Sequence, residues 1–399
     1  MLLYGLFNIY YFCPELIPLY LPSNLQTLRK KLNILYYFAG KDSFMDQWQS
    51  LHIFDELERA GHVLTIFNPL TYQSIEEANE RLPAFIIKSK PAFDLFVNPA
   101  PSILLFKITV QKIRAIGLPS VLICFDNLHA PFIHKEIAPY FDLVWLTSKE
   151  TDYLFKKWGC TTVFQPYAAN PQFLKPMYRN EILKVGFVGN VYDDRAQRIN
   201  LLTNNSVPCT VYSTQAAGSG SSGAGNRLGV METVSLLKNL SLFGFGRKVA
   251  YGRIINRIFA ERNKLVRNEF LEMMPSPPFD VINSIYSDHA LSLNITELRN
   301  TYALKPPVHK LHLRTFEIAM SGGLQIAPYV EELASYFEDG EEIVLCRDDE
   351  EFISKSRFYL QPEKASLRSS MKQKARLRAE TEHTWILRFN HVFGKLFGE

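Results

Sequence analysis

The sequence predicts an α/β protein built as two domains, and three observations carry that expectation. At 399 residues the chain is too long for one typical core and suits two of roughly 150 to 200 residues each. From Lys31 onward, short apolar runs alternate with stretches of helical period, the pattern of a parallel sheet covered by helices. Between Pro166 and Pro176, three prolines and the lack of any clear period mark a linker.

Composition narrows the class. A hydrophobic share of 47% and a charged share of 21% describe an ordinary globular protein. The net charge of +4 is mild and comes with no nucleic-acid motif, so no nucleic-acid partner is expected. The five cysteines, Cys13, Cys124, Cys160, Cys209 and Cys346, are scattered and lack CxxC spacing; they fit reduced, buried thiols in a cytoplasmic protein rather than a disulfide framework or a zinc site. Residues 1–30 form an apolar extension in which residues 1–22 carry Glu15 as their only charge. Its positive charge comes late, at Arg29 to Lys31, and Pro14 and Pro18 interrupt it, so neither a secretory signal nor a bilayer-crossing helix is expected. It packs on the body of the protein or lies in a membrane interface.

The first domain, residues 31–170, opens with an apolar strand over 33–38 and a loop from Gly40 to Ser43. A helix through 49–57 ends at Gly61-His62, and strands follow over 63–67, 93–97, 120–125, 143–146 and 162–164. Ligands bind beyond the carboxyl ends of strands in open α/β sheets, which puts Gly40 to Ser43 and Asp126 to His129 on one cleft wall. Asp126 and His129 are therefore the catalytic candidates, although Asp126 also fits a helix cap and His129 a loop histidine. His52 sits on an apolar helical face and fits the core or its rim.

The second domain, residues 180–378, begins with a strand over 184–188 that runs into Gly189 and Asn190 and then a helix carrying Arg195. A glycine at a strand end lets backbone N–H groups approach a ligand, and Arg195 supplies charge. Asp193-Asp194 is not a DxD metal motif. Residues 218–226, GSGSSGAGN, read as a flexible linker, natural or engineered. Residues 227–269 hold nine Lys or Arg against three Glu, which suits a solvated helix or a face for anionic lipid or an acidic acceptor. A short helix over 281–287 and a strand over 290–295 follow, and residues 379–397 of the terminal segment 379–399 read as one helix.

The most informative stretch is 305–349. Pro306 and Pro307 keep the chain extended, so a helix starts near Leu313 or Arg314 and ends at Ser321-Gly322-Gly323, before an apolar strand over 324–327. Lys310, His312 and Arg314 crowd the N-terminus of this helix, where unpaired N–H groups also point, which outlines a phosphate site. Glu317, one turn in, can accept hydrogen bonds from ribose hydroxyls. A solvated glutamate and a solvated basic face fit the same spacing.

The pattern His312-x-Arg314-x-Phe316-Glu317-Ile318-Ala319-x-Ser321-Gly322-Gly323, followed by Tyr336-Phe337-x-Asp339-Gly340-x-Glu342-Ile343, resembles the CgeB-like (spore-maturation-type) glycosyltransferases of the GT-B fold. In the wider group 1 enzymes of that fold a Glu-x7-Glu motif binds the donor. Glu317 matches its second Glu, the ribose ligand, while the first position falls on His309 and its sugar contact does not carry over. The resemblance implies two Rossmann-like domains facing across a cleft, with the C-terminal helix crossing back to the first.

It also implies a hexosyltransferase moving sugar from a UDP- or GDP-sugar to a glycan, lipid-linked or protein acceptor, as in cell-surface glycan assembly. Gly189, Asn190, Arg195, Lys310, His312, Arg314, Glu317, Ser321 and Gly322 are then the donor-binding candidates. Fixed cations stand where a divalent ion would sit, so neither a metal nor a separate cofactor is expected. An inverting reaction needs a base, Asp126 or His129, and a retaining one does not. The expected place is the cytoplasm, with peripheral contact at the inner face of the membrane through the N-terminal segment or residues 227–269. A sugar-nucleotide epimerase of the same fold and a non-catalytic partner subunit are the alternatives.

Overall fold

A computed structural model describes residues 31–41, 43–179, 181–192, 194–214, 230–258, 264–299, 301 and 304–398. The apolar segment 1–22, Asp193 and the 218–226 linker lie outside them. Runs rich in Val, Ile, Leu and Phe form two six-stranded sheets, both parallel throughout. The first contains β1 (Asn33–Tyr37), β2 (Val63–Phe67), β3 (Leu95–Asn98), β4 (Ser120–Cys124), β5 (Leu143–Leu146) and β6 (Thr162–Phe164), in the order β2-β1-β3-β4-β5-β6. The second contains β7 (Ile182–Val188), β8 (Cys209–Tyr212), β9 (Leu271–Met274), β10 (His289–Leu293), β11 (Gln325–Pro328) and β12 (Val344–Cys346), in the order β12-β11-β10-β7-β8-β9.

The α/β expectation holds, and the predicted strands match to within a few residues. The strands β8 and β9 escape a reading by pattern. β8 is only four residues long, and β9, Leu-Glu-Met-Met, is an edge strand of mixed polarity. Four of the five cysteines are described, and all four are buried free thiols. Among the described residues no helix is long and apolar enough to cross a membrane.

Three expectations need correction. The proline-bearing stretch after β6 is not an exposed linker, since Tyr167, Ala168, Ala169 and Asn170 are all buried. Its prolines keep it extended, but Asn170 ties it to the first domain by donating to Leu51 O at 2.7 Å and Asp55 Oδ2 at 2.8 Å. The tail is not one helix but two, Ala365–Glu382 and Trp385–Phe397, because Thr384 turns extended and caps the second by accepting from Leu387 N. Most of the described part of the basic stretch forms the helices Val230–Ser241 and Gly244–Ile258, and Leu240, Val249 and Phe243 in the turn between them are buried in a cluster shared with the first domain. Only its other face is left for solvent.

The last helix crosses to the first domain. Trp385, Phe389 and Phe393 join a cluster that runs through both domains, and the Trp385 ring meets those of Trp48, Phe125, Trp145 and Tyr167 at 5.4 to 6.4 Å. Glu56, on the first-domain helix Asp55–Arg59, accepts from Ile386 N at 2.8 Å and so caps the crossing helix from outside. Burial pushes the Glu56 carboxyl up to about 8 despite these backbone donors.

Glu56→Ala is expected to cost about 1 to 2 kcal/mol, the size of a lost cap, read as a lower thermal midpoint. A carboxyl raised on folding adds stability below its unfolded value that is lost as the pH rises through its folded one. The advantage of wild type over Glu56→Gln should therefore shrink between about pH 5 and about pH 9. A gap that stays constant across that range would mean Glu56 is ordinary in the folded state.

Candidate functional site

The centre of the site is the start of the helix Leu313–Met320. His312 precedes it in extended conformation and provides no side-chain cap, so the first N–H groups of the helix face the cleft unclaimed by that side chain. The carboxyl end of β7 lies against this point. Arg314 donates from Nη2 to Val188 O at 2.6 Å, and its Nε and Nη1 are buried with no hydrogen-bond partner among the described residues.

Arg195 arrives from the helix after β7 and donates from Nη1 to Asn190 O at 2.9 Å. The two guanidinium groups flank one aromatic ring, with Arg314 at 4.8 Å and Arg195 at 5.7 Å from the centroid of Phe187. Gly189 between them has φ of +138°, and a Cβ there would stand 2.7 Å from Arg314 Nη2. Asn190 is exposed and holds the turn by accepting from Thr214 Oγ1 at 2.8 Å. Burial, helped by the charges of Lys310, Arg195 and Arg314, drives His312 well below its ordinary value, so its ring is neutral.

The opposite wall is the turn after β4. Asn127 is fully buried and braces it, donating to Ser148 O and Thr151 Oγ1 at 2.6 Å and accepting from Thr147 N at 3.0 Å. Lys310, 4% exposed, crosses from the second domain to donate to Phe125 O at 3.2 Å and to pair with Asp126. Its ammonium holds the Asp126 carboxyl below the usual range, although that side chain is 67% exposed. His129 follows in the same turn, its N–H donating to Asp126 O at 3.1 Å. Burial and then the charge of Arg253 lower it.

Glu317 lies where the two walls meet. Trp48 of the first domain donates from Nε1 to Glu317 Oε1 at 3.2 Å, and among the described residues no donor reaches Oε2. Burial pushes this carboxyl up to about 7, against the pull of Arg314. His52 is the core histidine that the sequence allowed, fully buried, with its Nδ1 accepting from Asn170 N at 3.1 Å.

The predicted donor residues thus separate into two groups. Gly189, Asn190, Arg195, Lys310, His312, Arg314 and Glu317 gather along the N-terminal part of the helix. Ser321 and Gly322 sit at its far end, about 12 Å away by helix rise, where Gly322 packs against Pro176 and Tyr178. His309 points elsewhere too, bonding Thr296 Oγ1 at 2.9 Å beside a cavity of about 540 Å³ that Lys149, Glu150 and Lys248 also line. Sequence reasoning missed Trp48, which tertiary packing brings to Glu317 without any local motif. Among the described residues no three His, Cys, Asp or Glu side chains are grouped to hold a metal ion.

Comparison with known proteins bears on both fold and site. Residues 273–394, which include the central helix, match a family model described as glycosyl transferase-like. No curated protein matches the sequence. Among solved structures, sucrose-phosphate synthase from Thermosynechococcus elongatus aligns at 14% identity with a TM-score of 0.52, over 92% of this chain and 100% of that one. HepE from Anabaena, solved with UDP and glucose, aligns at 10% with a TM-score of 0.54 over the same shares. An α-glucosyltransferase solved with UDP-glucose and DNA containing an abasic site aligns at 9% with a TM-score of 0.58, again over 92% and 100%. The fold is GT-B.

If Lys310 holds Asp126 ionised, Lys310→Met should raise the Asp126 titration midpoint toward that of an ordinary carboxyl, followed by carboxyl NMR. An unmoved midpoint would show that the two domains do not meet through this pair.

Proposed function

We propose that the protein is a metal-independent glycosyltransferase of the CgeB-like kind, moving a hexose from a UDP- or GDP-sugar to a hydroxyl of a glycan, lipid-linked or protein acceptor. One observation carries the reading. Arg195, Arg314 and Lys310 converge on an open helix N-terminus at the strand ends of the second domain, with Glu317 one turn further in. That arrangement matches a diphosphate followed by a ribose, and the glycosyl transferase-like match covers the same helix.

In this reaction the acceptor oxygen bonds to the anomeric carbon while the bond from that carbon to the β-phosphate oxygen breaks. The nucleoside diphosphate leaves with the electron pair. Its growing charge is met by Arg195, Arg314 and the helix N–H groups, and by Lys310 once it leaves Asp126. The hydroxyl proton passes to Asp126 or His129 if configuration inverts, and to the leaving phosphate if it is retained. His129 is uncharged and ready to accept, whereas Asp126 must first give up Lys310. Glu317 Oε2 takes the ribose hydroxyls.

A carboxyl raised to about 7 must ionise to accept those hydroxyls well. Calorimetry with a UDP-sugar or GDP-sugar, whose diphosphate does not titrate in this range, should show affinity rising between about pH 6 and about pH 8. Glu317→Ala should remove that rise together with about 1.5 to 3 kcal/mol of binding. A flat profile in the wild type would take Glu317 out of the donor site.

The two walls should also fail differently. Arg314→Ala is expected to weaken donor binding and turnover together, while Asp126→Asn leaves donor affinity near normal and lowers turnover by roughly 10²-fold. Both measurements belong in EDTA, where the wild type should keep its rate; loss there with recovery on adding Mg²⁺ would overturn the metal-free mechanism.

A further inference from the structure

The first-domain helix that carries Trp48 is not regular. It runs from Phe44 to Arg59 with one wide turn, Ser50–Phe54, where the Asp55 N–H reaches back five residues to Ser50 O. Such π-type turns are rare, occur mostly as single bulges inside α-helices, and are frequent at functional sites. His52 stands in this turn. It is fully buried, stacked on the Trp48 ring at 5.4 Å and 23°, and edged by Phe173 and Phe279 at 5.6 and 6.1 Å.

The position of the proton on its ring follows from its partners. Burial pushes the His52 imidazole down to about 3, so the ring is neutral and carries a single N–H. Its Nδ1 accepts from Asn170 N at 3.1 Å and is the bare nitrogen, which leaves the proton on Nε2. That Nε2 is buried and has no hydrogen-bond partner among the described residues. It lies 3.9 Å from Glu317 Oε1, the oxygen that already accepts from Trp48 Nε1 at 3.2 Å. A gap of 3.9 Å is too long for a hydrogen bond, and a shift of about 1 Å closes it. A core position that serves packing alone gains nothing from this N–H, because a buried donor without an acceptor costs stability.

We infer that His52 is a positioning residue for the donor: its Nε2–H is the second hydrogen-bond donor to Oε1 of ionised Glu317, so that two N–H groups of the first domain hold one carboxylate oxygen and present the other, Oε2, to the ribose. This rests on reading Glu317 as the ribose ligand. A carboxylate oxygen has lone pairs for both N–H groups, and its charge strengthens each bond. Glu317 is faced by Arg314 on its own helix, by Tyr286 on the helix Phe279–Asp288, and by Trp48 and His52 of the first domain. Tyr286, pushed up to about 12 by burial, and His52 both stay neutral where Glu317 titrates, so the carboxyl is the group that changes. A donor to the ionised form favours that form, and its loss raises the Glu317 midpoint.

The test follows UDP-glucose binding to the full chain by calorimetry between about pH 6 and about pH 9. His52→Asn keeps an acceptor near the Nδ1 position for Asn170 and removes the Nε2–H, whereas His52→Gln places an amide N–H near the Nε2 position. The rise of affinity with pH is expected to move up by about one pH unit in His52→Asn, with affinity at about pH 7.5 lowered at least about threefold, and His52→Gln should restore both. In isotope-labelled wild type, the imidazole N–H signal that His52→Asn removes should move downfield on adding UDP-glucose; this reading needs no variant to bind and decides alone if His52→Gln does not fold. An unmoved profile in His52→Asn, a moved one that folded His52→Gln fails to restore, or an N–H signal indifferent to UDP-glucose would each overturn the assignment. If neither UDP-glucose nor GDP-mannose binds the wild type, the glycosyltransferase reading fails instead. The carboxyl titration of Glu317 in the free protein then decides the contact: a midpoint raised in His52→Asn keeps the pairing, and an equal one removes it.

Discussion

The packing of Trp385 between the two domains is the constraint on which the site depends. Its indole meets Trp48 of a first-domain helix, Phe125 just after β4, Trp145 of β5 and Tyr167 in the extended stretch after β6. Phe125 is the residue before Asp126, and Trp48 is the donor to Glu317. Each aromatic pair adds roughly 0.5 to 1.5 kcal/mol beyond its buried area, so the cluster fixes the separation of the cleft walls more firmly than any one polar contact across it. Removing the crossing helix would expose this cluster. The geometry of the cleft in this sense depends on how the last helix is packed.

The electrostatics of the cleft follow from that closeness. Charged groups from both walls are held within reach of one another in a part-buried space, so each group adjusts to the rest. Lys310 takes Asp126 as counterion, His312 gives up its proton, and Glu317 tends to keep one. Arg314 holds its place through a backbone carbonyl and the face of Phe187 instead of a carboxylate, which leaves its remaining N–H groups uncommitted. A carboxylate partner at that position would have to be displaced by phosphate. A carbonyl and a ring compete with it far less.

Much of this was legible before the fold was known, for physical reasons that can be named. Buried parallel strands write themselves as continuous apolar runs, and Pro306-Pro307 with Ser321-Gly322-Gly323 bracket the central helix by backbone chemistry alone. Donor candidates on one helix face or one strand end were legible because their spacing is local. Ser321 and Gly322 belong to the same motif but serve the C-terminal turn of the helix, a division that sequence proximity hides. Trp48 was not legible, since nothing near it in the chain indicates that it reaches the cleft. The break at His383-Thr384 was missed because the apolar period runs through it and only the cap geometry interrupts the helix. The prolines after β6 misled for a related reason: they report an extended backbone and say nothing of whether it is buried.

The indole cluster has an optical consequence. Three of the chain's four tryptophans, Trp48, Trp145 and Trp385, are fully or almost fully buried at the junction of the domains, and Trp48 is bonded directly to Glu317. Intrinsic fluorescence from this protein therefore originates largely at one place, where its halves pack together. Opening or closing the cleft alters the surroundings of these emitters, so the protein carries its own unlabelled reporter of domain motion, readable on the timescale of a stopped-flow mixing experiment.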